Sequence, residues 1–563
     1  MGGDSGGRRL RAFRSLAGNR ALVRVLGGYA LFILTECAVW LAMIIFAYSH
    51  GGATTAGLVA VVQLVPAAVL APVAAAVADR RSPVLLLAGG YLALAVAVGA
   101  ITAAVLLDAP LAAYGCAAVA FVAVTTTRPA QSAVIPSAAV TADQLTAANV
   151  VVGWLEAAGV VVAGLLTGIL ISLAGVASVF AVCAGLTAGA LLLVAGLRVP
   201  TLAAAPEEGS PSVLAGLAEG LRLAGGEPRV RLMLALLTAE AVVSGALDLL
   251  IVILAIGVLH RPQAWAGYLN GVWGAGALLA ATASAVLIGR RLGAPILAAA
   301  LMLSVVTAAL ALGVGLAGTA ALIAVAGAAS TMLNVALRSM LQRSVPPQLI
   351  GRIFGVLEGL MFAGYAVGAL LVPLLVHLGG NRLALIGTAV VLPLAAAVGG
   401  RALFALDAGV PVPVVEIALL RSLPLFGELP APAIEGLAAA LTEVRLPAGG
   451  VLIQQGDQGD AYYAVASGEL DALQDGHFLR RVGRGEGVGE IALLRAIPRT
   501  ASVVAHTDAT VYELNRDLFL TAVVGHAATQ RRADDIADTR LATGAAPDGD
   551  GAGATGTAAA EPG

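Results

Sequence analysis

The chain has 563 residues, 59% of them hydrophobic and only 12% charged, with a formal net charge of −2 and a mean hydropathy of +0.93. Soluble domains carry about 25% charged residues, so an ordinary soluble globular protein is excluded and a multi-pass membrane protein is expected. All 32 basic residues are Arg, a bias that points to GC-rich coding and a bacterial source.

A basic tail over residues 1–24 opens the chain, too polar to be the start of a cleavable signal peptide. Apolar runs of about 20 residues, the length that crosses a bilayer, follow near 26–48, 55–77, 84–106, 110–134, 147–172 and 174–197. Six more lie near 232–256, 265–288, 294–316, 319–341, 353–376 and 383–400. The expectation is an α-helical membrane protein of twelve transmembrane helices in two six-helix halves, 25–200 and 231–402, joined by a cytoplasmic central loop over 201–230. With the N-terminus inside, one side receives the Arg residues of the tail and Arg80, Arg81, Arg198, Arg222, Arg229, Arg290, Arg291, Arg343, Arg352 and Arg401. The other receives only Arg261 and Arg382, so the bias of basic loops places both termini in the cytoplasm of a bacterial inner membrane. Cys37, Cys116 and Cys183 fall inside spans and read as packing residues; no metal-ligand spacing is present.

The two halves carry traces of duplication. Arg128 ends the fourth span and Pro136 follows; Arg338 ends the tenth and Pro346 follows, at the same interval. Gln144-Leu145 and Gln348-Leu349 come next, and the following spans each hold one acid, Glu156 and Glu358. "ADRR" (78–81) closes the second span and "GRR" (289–291) the eighth. In these motifs residues 25–401 resemble the major facilitator superfamily, whose loop between its second and third helices runs Gly-x-x-x-Asp-Arg. Ala75 and Ser82 replace two of the loop's glycines, while Asp79 and Arg80 match the pair that the resemblance makes a conformational gate. "TRPAQSAVIP" and "ALRSMLQRSVP" are similar to the bacterial efflux branch that includes siderophore and macrolide exporters.

Charges within hydrocarbon are expensive and normally face the bundle interior or water. Glu36, Glu156, Glu240, Asp248 and Glu358 are the acids concerned. Glu240, Ser244 and Asp248 recur every four residues on the seventh span, and Ser330, Asn334, Arg338 and Gln342 do so on the tenth, each drawing a polar stripe on one helical face. Such stripes could line a substrate or proton path, and they could equally be interhelical bonding or gates. Glu36, Glu156, Glu240, Asp248 and Arg338 are the candidate path residues.

Beyond Arg401 prolines and charges become frequent, giving a linker over 403–424, a soluble domain over 425–542 and a disordered Gly- and Ala-rich tail over 543–563. "PAPAIEGLAAAL" has helical spacing; "EVRLP", "VLIQQ", "AYYAVASG", "ELDAL", "LRRVG", "TASVVAH" and "ATVYEL" are short strand-like runs bounded by Gly and Asp turns. They predict a β-roll (jelly roll) with flanking helices. Within it, "GEIALLRAIPRTASV" (489–503) joins a helix start, which favours an anion, to the donor fork of Arg499 and the acceptor Glu490. Phosphate oxygens and a ribose hydroxyl together suit that set.

This stretch strongly resembles the phosphate-binding cassette of cyclic nucleotide-binding domains, matching at Gly489, Glu490, Ile491, Ala492, Leu493, Pro498, Arg499, Ala501, Ser502 and Val503. Val488 stands where Phe is usual. Upstream, Gly456, Asp457, Gly459, Asp460, Tyr463, Val465 and Gly468 match the family's framework. The resemblance implies that Glu490 holds the ribose, that Arg499 and the Ile491 and Ala492 amides hold the phosphate, and that C-terminal helices close over the base. Gly489, Thr500 and Ala501 complete the candidate site, and Thr500 leaves the base open between cAMP, the favoured ligand, and cGMP.

The combined reading is a secondary active transporter, a proton-coupled exporter of a small molecule, regulated by a cyclic nucleotide. The alternative is a non-transporting receptor that senses the nucleotide. The expected partners are the lipid bilayer, the nucleotide and a small-molecule substrate. No phosphate loop ending in Lys and no catalytic constellation occurs, so an enzyme is not expected; no DNA-reading helix pair follows the roll, so nucleic acid is not expected either.

Overall fold

The computed structural model describes residues 15–78, 82–139, 142–197, 222, 225–283, 291–345, 350–409, 414–426, 429, 434, 436–438, 440–524, 533 and 536–538. The chain divides into two compact units, Met1–Pro411 and Val412–Gly563. The expected gating pair, Asp79 and Arg80, lies outside the described residues, as do most of the central loop, the first fourteen residues and the tail over 543–563.

The first unit is helical, as a lipid-embedded backbone that must bond to itself requires. Its helices are α1 Arg20–Ala78, α2 Pro83–Leu106, α3 Pro110–Ala138, α4 Ala142–Ala174, α5 Val176–Val194, α6 Pro228–Val252, α7 Ala264–Ala283, α8 Gly293–Ala309, α9 Leu316–Ser344 and α10 Ile350–Gly409. A π-helical turn, Ile253–Val258, extends α6. Nine of the described helices are long and apolar enough to cross a membrane. Two of them fold back within their length, α1 at Gly51–Gly52 and α10 at Gly379–Gly380. Gly52 (φ 66°, ψ −158°), Gly175 between α4 and α5 (φ 76°, ψ 177°) and Gly380 (φ 74°, ψ −173°) share one backbone conformation, open only to glycine. The match of Gly175 with Gly380 places the duplication in the backbone itself.

Helices α1, α2, α3 and α5 pack on one another, while α9 and α10 each pack on α6 and α8; the two groups meet through α1 with α10 and through α4 with α7. Glycines make these meetings close. A Cβ on Gly164 would lie 2.4 Å from Gly271 N, one on Gly267 2.5 Å from Gly168 N, and one on Gly57 2.5 Å from Ala369 O. Gly57, Gly168 and Pro373, the last also against Gly57, sit five to seven residues from the Gly52, Gly175 and Gly380 turns. Among the described residues, close contact between the halves thus reaches toward the end of the bundle that carries those turns.

The second unit is a β-roll of two antiparallel four-stranded sheets. Its strands are β1 Thr442–Leu446, β2 Val451–Ile453, β3 Ala461–Ser467, β4 Leu470–Gln474, β5 His477–Val482, β6 Gly487–Val488, β7 Ser502–Ala505 and β8 Ala509–Asn515. The orders are β1-β8-β3-β6 and β2-β7-β4-β5. Val465, Leu470, Val482, Val503 and Val511 close the core between them. Two features differ from the sequence reading. Strand β6 is only two residues long, too short for alternation to reveal. Residues 414–422, expected as linker, form helix α11 Val414–Ser422, whose Leu419 and Leu420 are buried in the roll's second core. Of the prolines that suggested a linker, Pro411 and Pro413 come directly before the helix, where proline is tolerated, and Pro424 comes after its end. Phe426 just after α11, Tyr462 of β3 and Phe519 of α13 Arg516–Val524 pack ring to ring at 4.9 to 6.0 Å between centroids.

Candidate cassette and intramembrane polar network

The Glu490–Arg495 helix, α12, starts where β6 ends, and Gly489 between them has φ +94°. A Cβ there would stand 2.5 Å from Arg499 Nη1 and 3.0 Å from Ala461 O, so glycine is required by both conformation and space. Arg499 is 5% exposed. Its Nη1 donates to Gly489 O at 3.0 Å, and its Nη2 donates to Ala461 O at 2.7 Å and to Asp460 Oδ1 at 3.3 Å. Its backbone is fixed too: the N–H donates to Asp457 O at 2.8 Å and the carbonyl accepts from Gly456 N at 2.9 Å. The Gly-Asp-x-Gly-Asp stretch, read from sequence as framework, thus holds the Arg499 backbone through Gly456 and Asp457 and its guanidinium through Asp460. Arg516, at the start of α13, donates from Nη1 to Gly459 O at 3.1 Å and from its N–H to Asp460 O at 2.9 Å, tying the C-terminal helix to the same loop.

Glu490 is buried at 2% exposure in the first turn of α12, next in the chain to the carbonyl that Arg499 grips. Ile491 and Ala492 share that turn, whose amides have no intrahelical partners. Thr500 and Ala501 are half-buried directly after Arg499, and Ser502 Oγ accepts from Gln455 N–H at 2.9 Å. A fixed guanidinium, first-turn amides and a carboxylate within eleven residues can hold an anion whose neighbouring group donates a hydroxyl. Val488, in place of an aromatic residue, is buried opposite Tyr463 of β3.

In the first unit the polar stripes of α6 and α9 meet. Glu240 is 2% exposed; its Oε1 accepts from Ser244 Oγ at 2.8 Å and Ser330 Oγ at 2.7 Å, and its Oε2 accepts from Asn334 Nδ2 at 3.3 Å. Arg338 Nε donates to Asn334 Oδ1 at 2.9 Å, and its Nη2 pairs with Glu358 at 3.3 Å. On the other side, Arg128 Nη2 donates to both oxygens of Glu36 at 2.7 and 2.8 Å, and Tyr29 Oη donates to Glu156 Oε1 at 2.6 Å. The repeat is therefore chemical as well: an acid on α1 or α6 faces an Arg on α3 or α9, directly in one half and through Asn334 in the other. Asp248 stands apart, accepting at Oδ2 from Trp40 Nε1 at 3.0 Å across the two halves.

Sequence reasoning missed Trp40 and Tyr29, although a signal was present. Tyr29, Glu36 and Trp40 follow one another by seven and four residues, which puts them on one face of α1. Among the described residues no group of three or more His, Cys, Asp or Glu side chains could hold a metal ion, and Cys37, Cys116 and Cys183 are free.

Comparison with known proteins separates the two units. The family model of the Major Facilitator Superfamily matches residues 25–357, and that of the cyclic nucleotide-binding domain matches residues 443–525. The cAMP-dependent protein kinase regulatory subunit of Aspergillus niger is 42% identical over 104 residues, 18% of this chain and 25% of that protein. The same subunit of Emericella nidulans is 40% identical over 104 residues, with the same coverage of 18% and 25%. The chain thus spans about a quarter of the length of these curated relatives. A structure of the regulatory domain of Toxoplasma gondii PKA with cAMP aligns at 36% identity, covering 22% of this chain and 48% of that one, with a TM-score of 0.20.

Proposed function

The chain belongs to the Major Facilitator Superfamily and carries a C-terminal cyclic nucleotide-binding domain, and on that premise we propose that it is a twelve-span secondary transporter gated by a cyclic nucleotide. The observation that carries the regulatory part is the grip on Arg499 by Gly489, Ala461 and Asp460 beside the buried Glu490. A guanidinium held by its own loop costs little further ordering when a phosphate arrives. cAMP is the favoured nucleotide, in keeping with the named ligand of the regulatory-subunit relatives.

The transport part rests on two polar groupings among the spans, Glu36 with Arg128 and Glu156 with Tyr29 in one half, and Glu240, Asn334, Arg338 and Glu358 in the other. Buried carboxylates can carry protons, and Glu240, held by neutral donors, is the foremost candidate. Export from a bacterial inner membrane follows from the resemblance of the α3 and α9 segments to efflux proteins.

Flux in proteoliposomes under an imposed pH gradient, with and without cAMP on the side of the second unit, tests the reading. Gradient-driven flux of a substrate, altered by cAMP, is expected. A protein that binds cAMP and moves nothing in a broad substrate screen would instead be a receptor.

A further inference from the structure

Asp248 is the intramembrane acid with the least compensation. Glu36 and Glu358 each face an Arg, Glu156 accepts a short bond from Tyr29, and Glu240 has both oxygens engaged by three donors. Asp248 receives from the described residues one hydrogen bond, from Trp40 Nε1 at 3.0 Å, and both residues are only partly buried. A carboxylate at this depth needs a positive partner to remain charged.

Its surroundings say what kind. Trp40 presents its indole edge to Asp248, because the bond runs through Nε1 in the ring plane, so the indole faces point elsewhere. One neighbour of those rings is Phe121 of α3, with centroids 5.3 Å apart and planes at 44°. A cation resting on an indole face lies within about 6 Å of the ring centroid, a distance that also keeps it close to a carboxylate bonded at the ring edge. Metal ions and ammonium prefer oxygen-rich shells, whereas an organic cation with an apolar body gains from two aromatic rings and one carboxylate.

We infer that Trp40, Phe121 and Asp248 form the binding site for an organic cation with an apolar, aromatic-sized body, gripped between the two halves. The inference deepens the transporter reading and rests on it. Trp40 belongs to α1 and Asp248 to α6, so a ligand held by both has different contacts when the halves move apart, which is the differential affinity that coupling requires.

The test is equilibrium binding of tetraphenylphosphonium to the full chain in detergent, with triphenylphosphine oxide as the uncharged counterpart of similar body. Wild type should bind the cation at least about tenfold more tightly than the neutral compound, as a charge-assisted contact in a low-dielectric site predicts. Asp248→Asn, which can keep the bond to Trp40 through its amide oxygen, should lose that preference while still binding the neutral compound. Asp248→Glu should retain preference for the cation, showing that charge and not fold was removed. Trp40→Leu should weaken both ligands, and Trp40→Phe should restore most of the loss. Equal binding of cation and neutral compound by wild type, or an unchanged preference in Asp248→Asn, overturns the inference. If wild type shows no cation preference yet moves another substrate under a pH gradient, this site assignment fails and the transporter reading stands. If the cation preference is found and no flux of tetraphenylphosphonium or any other substrate can be measured, the transporter reading is the one that fails.

Discussion

Replacing Arg499 by Ala removes one guanidinium and leaves three acceptors behind. Gly489 O and Ala461 O lose donors at 3.0 and 2.7 Å, and Asp460 loses its cation at 3.3 Å. Asp460 is 84% exposed at its side chain, so water takes over there at little cost. The two carbonyls lie in or at the edge of the interior, where each abandoned acceptor costs about 1–3 kcal/mol, so the unliganded domain should lose roughly 2–6 kcal/mol of stability. On the ligand side a charged hydrogen bond to phosphate contributes about 1.5–3 kcal/mol, a loss of roughly 10- to 150-fold in affinity. Arg499→Lys separates the two effects, because an ammonium keeps the charge but cannot reach both carbonyls with a planar fork. Titration calorimetry with cAMP on the full chain in detergent, beside thermal unfolding of the same samples, reads both quantities. The expected order of affinity is wild type, then Lys, then Ala, with both variants folded at the titration temperature. Folded Arg499→Ala that binds cAMP like wild type would refute the assignment of the phosphate site.

A segment beginning at Leu425 omits Leu419, Leu420 and Leu423, which the helical core buries to 6%, 0% and 1% exposure; it should unfold at lower urea than one beginning at Val412, by at least about 3 kcal/mol. Glu240→Gln should reach the membrane yet lose pH-gradient-driven flux, and flux that stays gradient-driven in the variant counts against a proton role for this acid. Gly168→Val places branched carbons where even a Cβ would meet the Tyr268 ring at 2.6 Å, so the α4–α7 seam should part and the detergent-solubilised protein should melt earlier; an unchanged melting temperature contradicts the seam. The Arg481 hydrogen bond holds the Asp471 carboxyl below the usual carboxylate range, so its stabilisation is present above the unfolded value of about 3.9 and is lost as pH falls through the lower folded value. Denaturant midpoints of the isolated second unit should accordingly differ between wild type and Asp471→Asn at pH 7 and converge in stronger acid.

What could be read from sequence follows from the range of the interactions involved. Gly489, Glu490 and Arg499 lie within a single short stretch, so that they stand together was legible at once. The stripes of α6 and α9 were legible because helical period marks a face; that Glu240 should meet Ser330 and Asn334, about 90 positions away, was not. Trp40 escaped because an indole in an apolar span reads as packing until a partner appears on another helix. Asp460 was read as turn framework, since nothing local shows that its carboxylate reaches Arg499. The glycine seams of Gly57, Gly164, Gly168, Gly267 and Gly271 are invisible to hydropathy, which treats glycine as neutral and ignores how closely two backbones approach. Helix α11 was hidden by the prolines that flank it, none of which lies within Val414–Ser422.

The central claim is that nucleotide occupancy of the roll sets the rate of transport. Substrate flux in proteoliposomes should be measured across a range of cAMP concentrations for wild type and Arg499→Lys, and compared with the binding constants of the same preparations. The midpoint of the flux change should match the dissociation constant of each protein and move with it, with a coupling of about 1–3 kcal/mol changing the flux roughly 5- to 150-fold at saturation. Flux that is the same with and without saturating cAMP and cGMP, in a wild-type protein shown to bind either one, would contradict it.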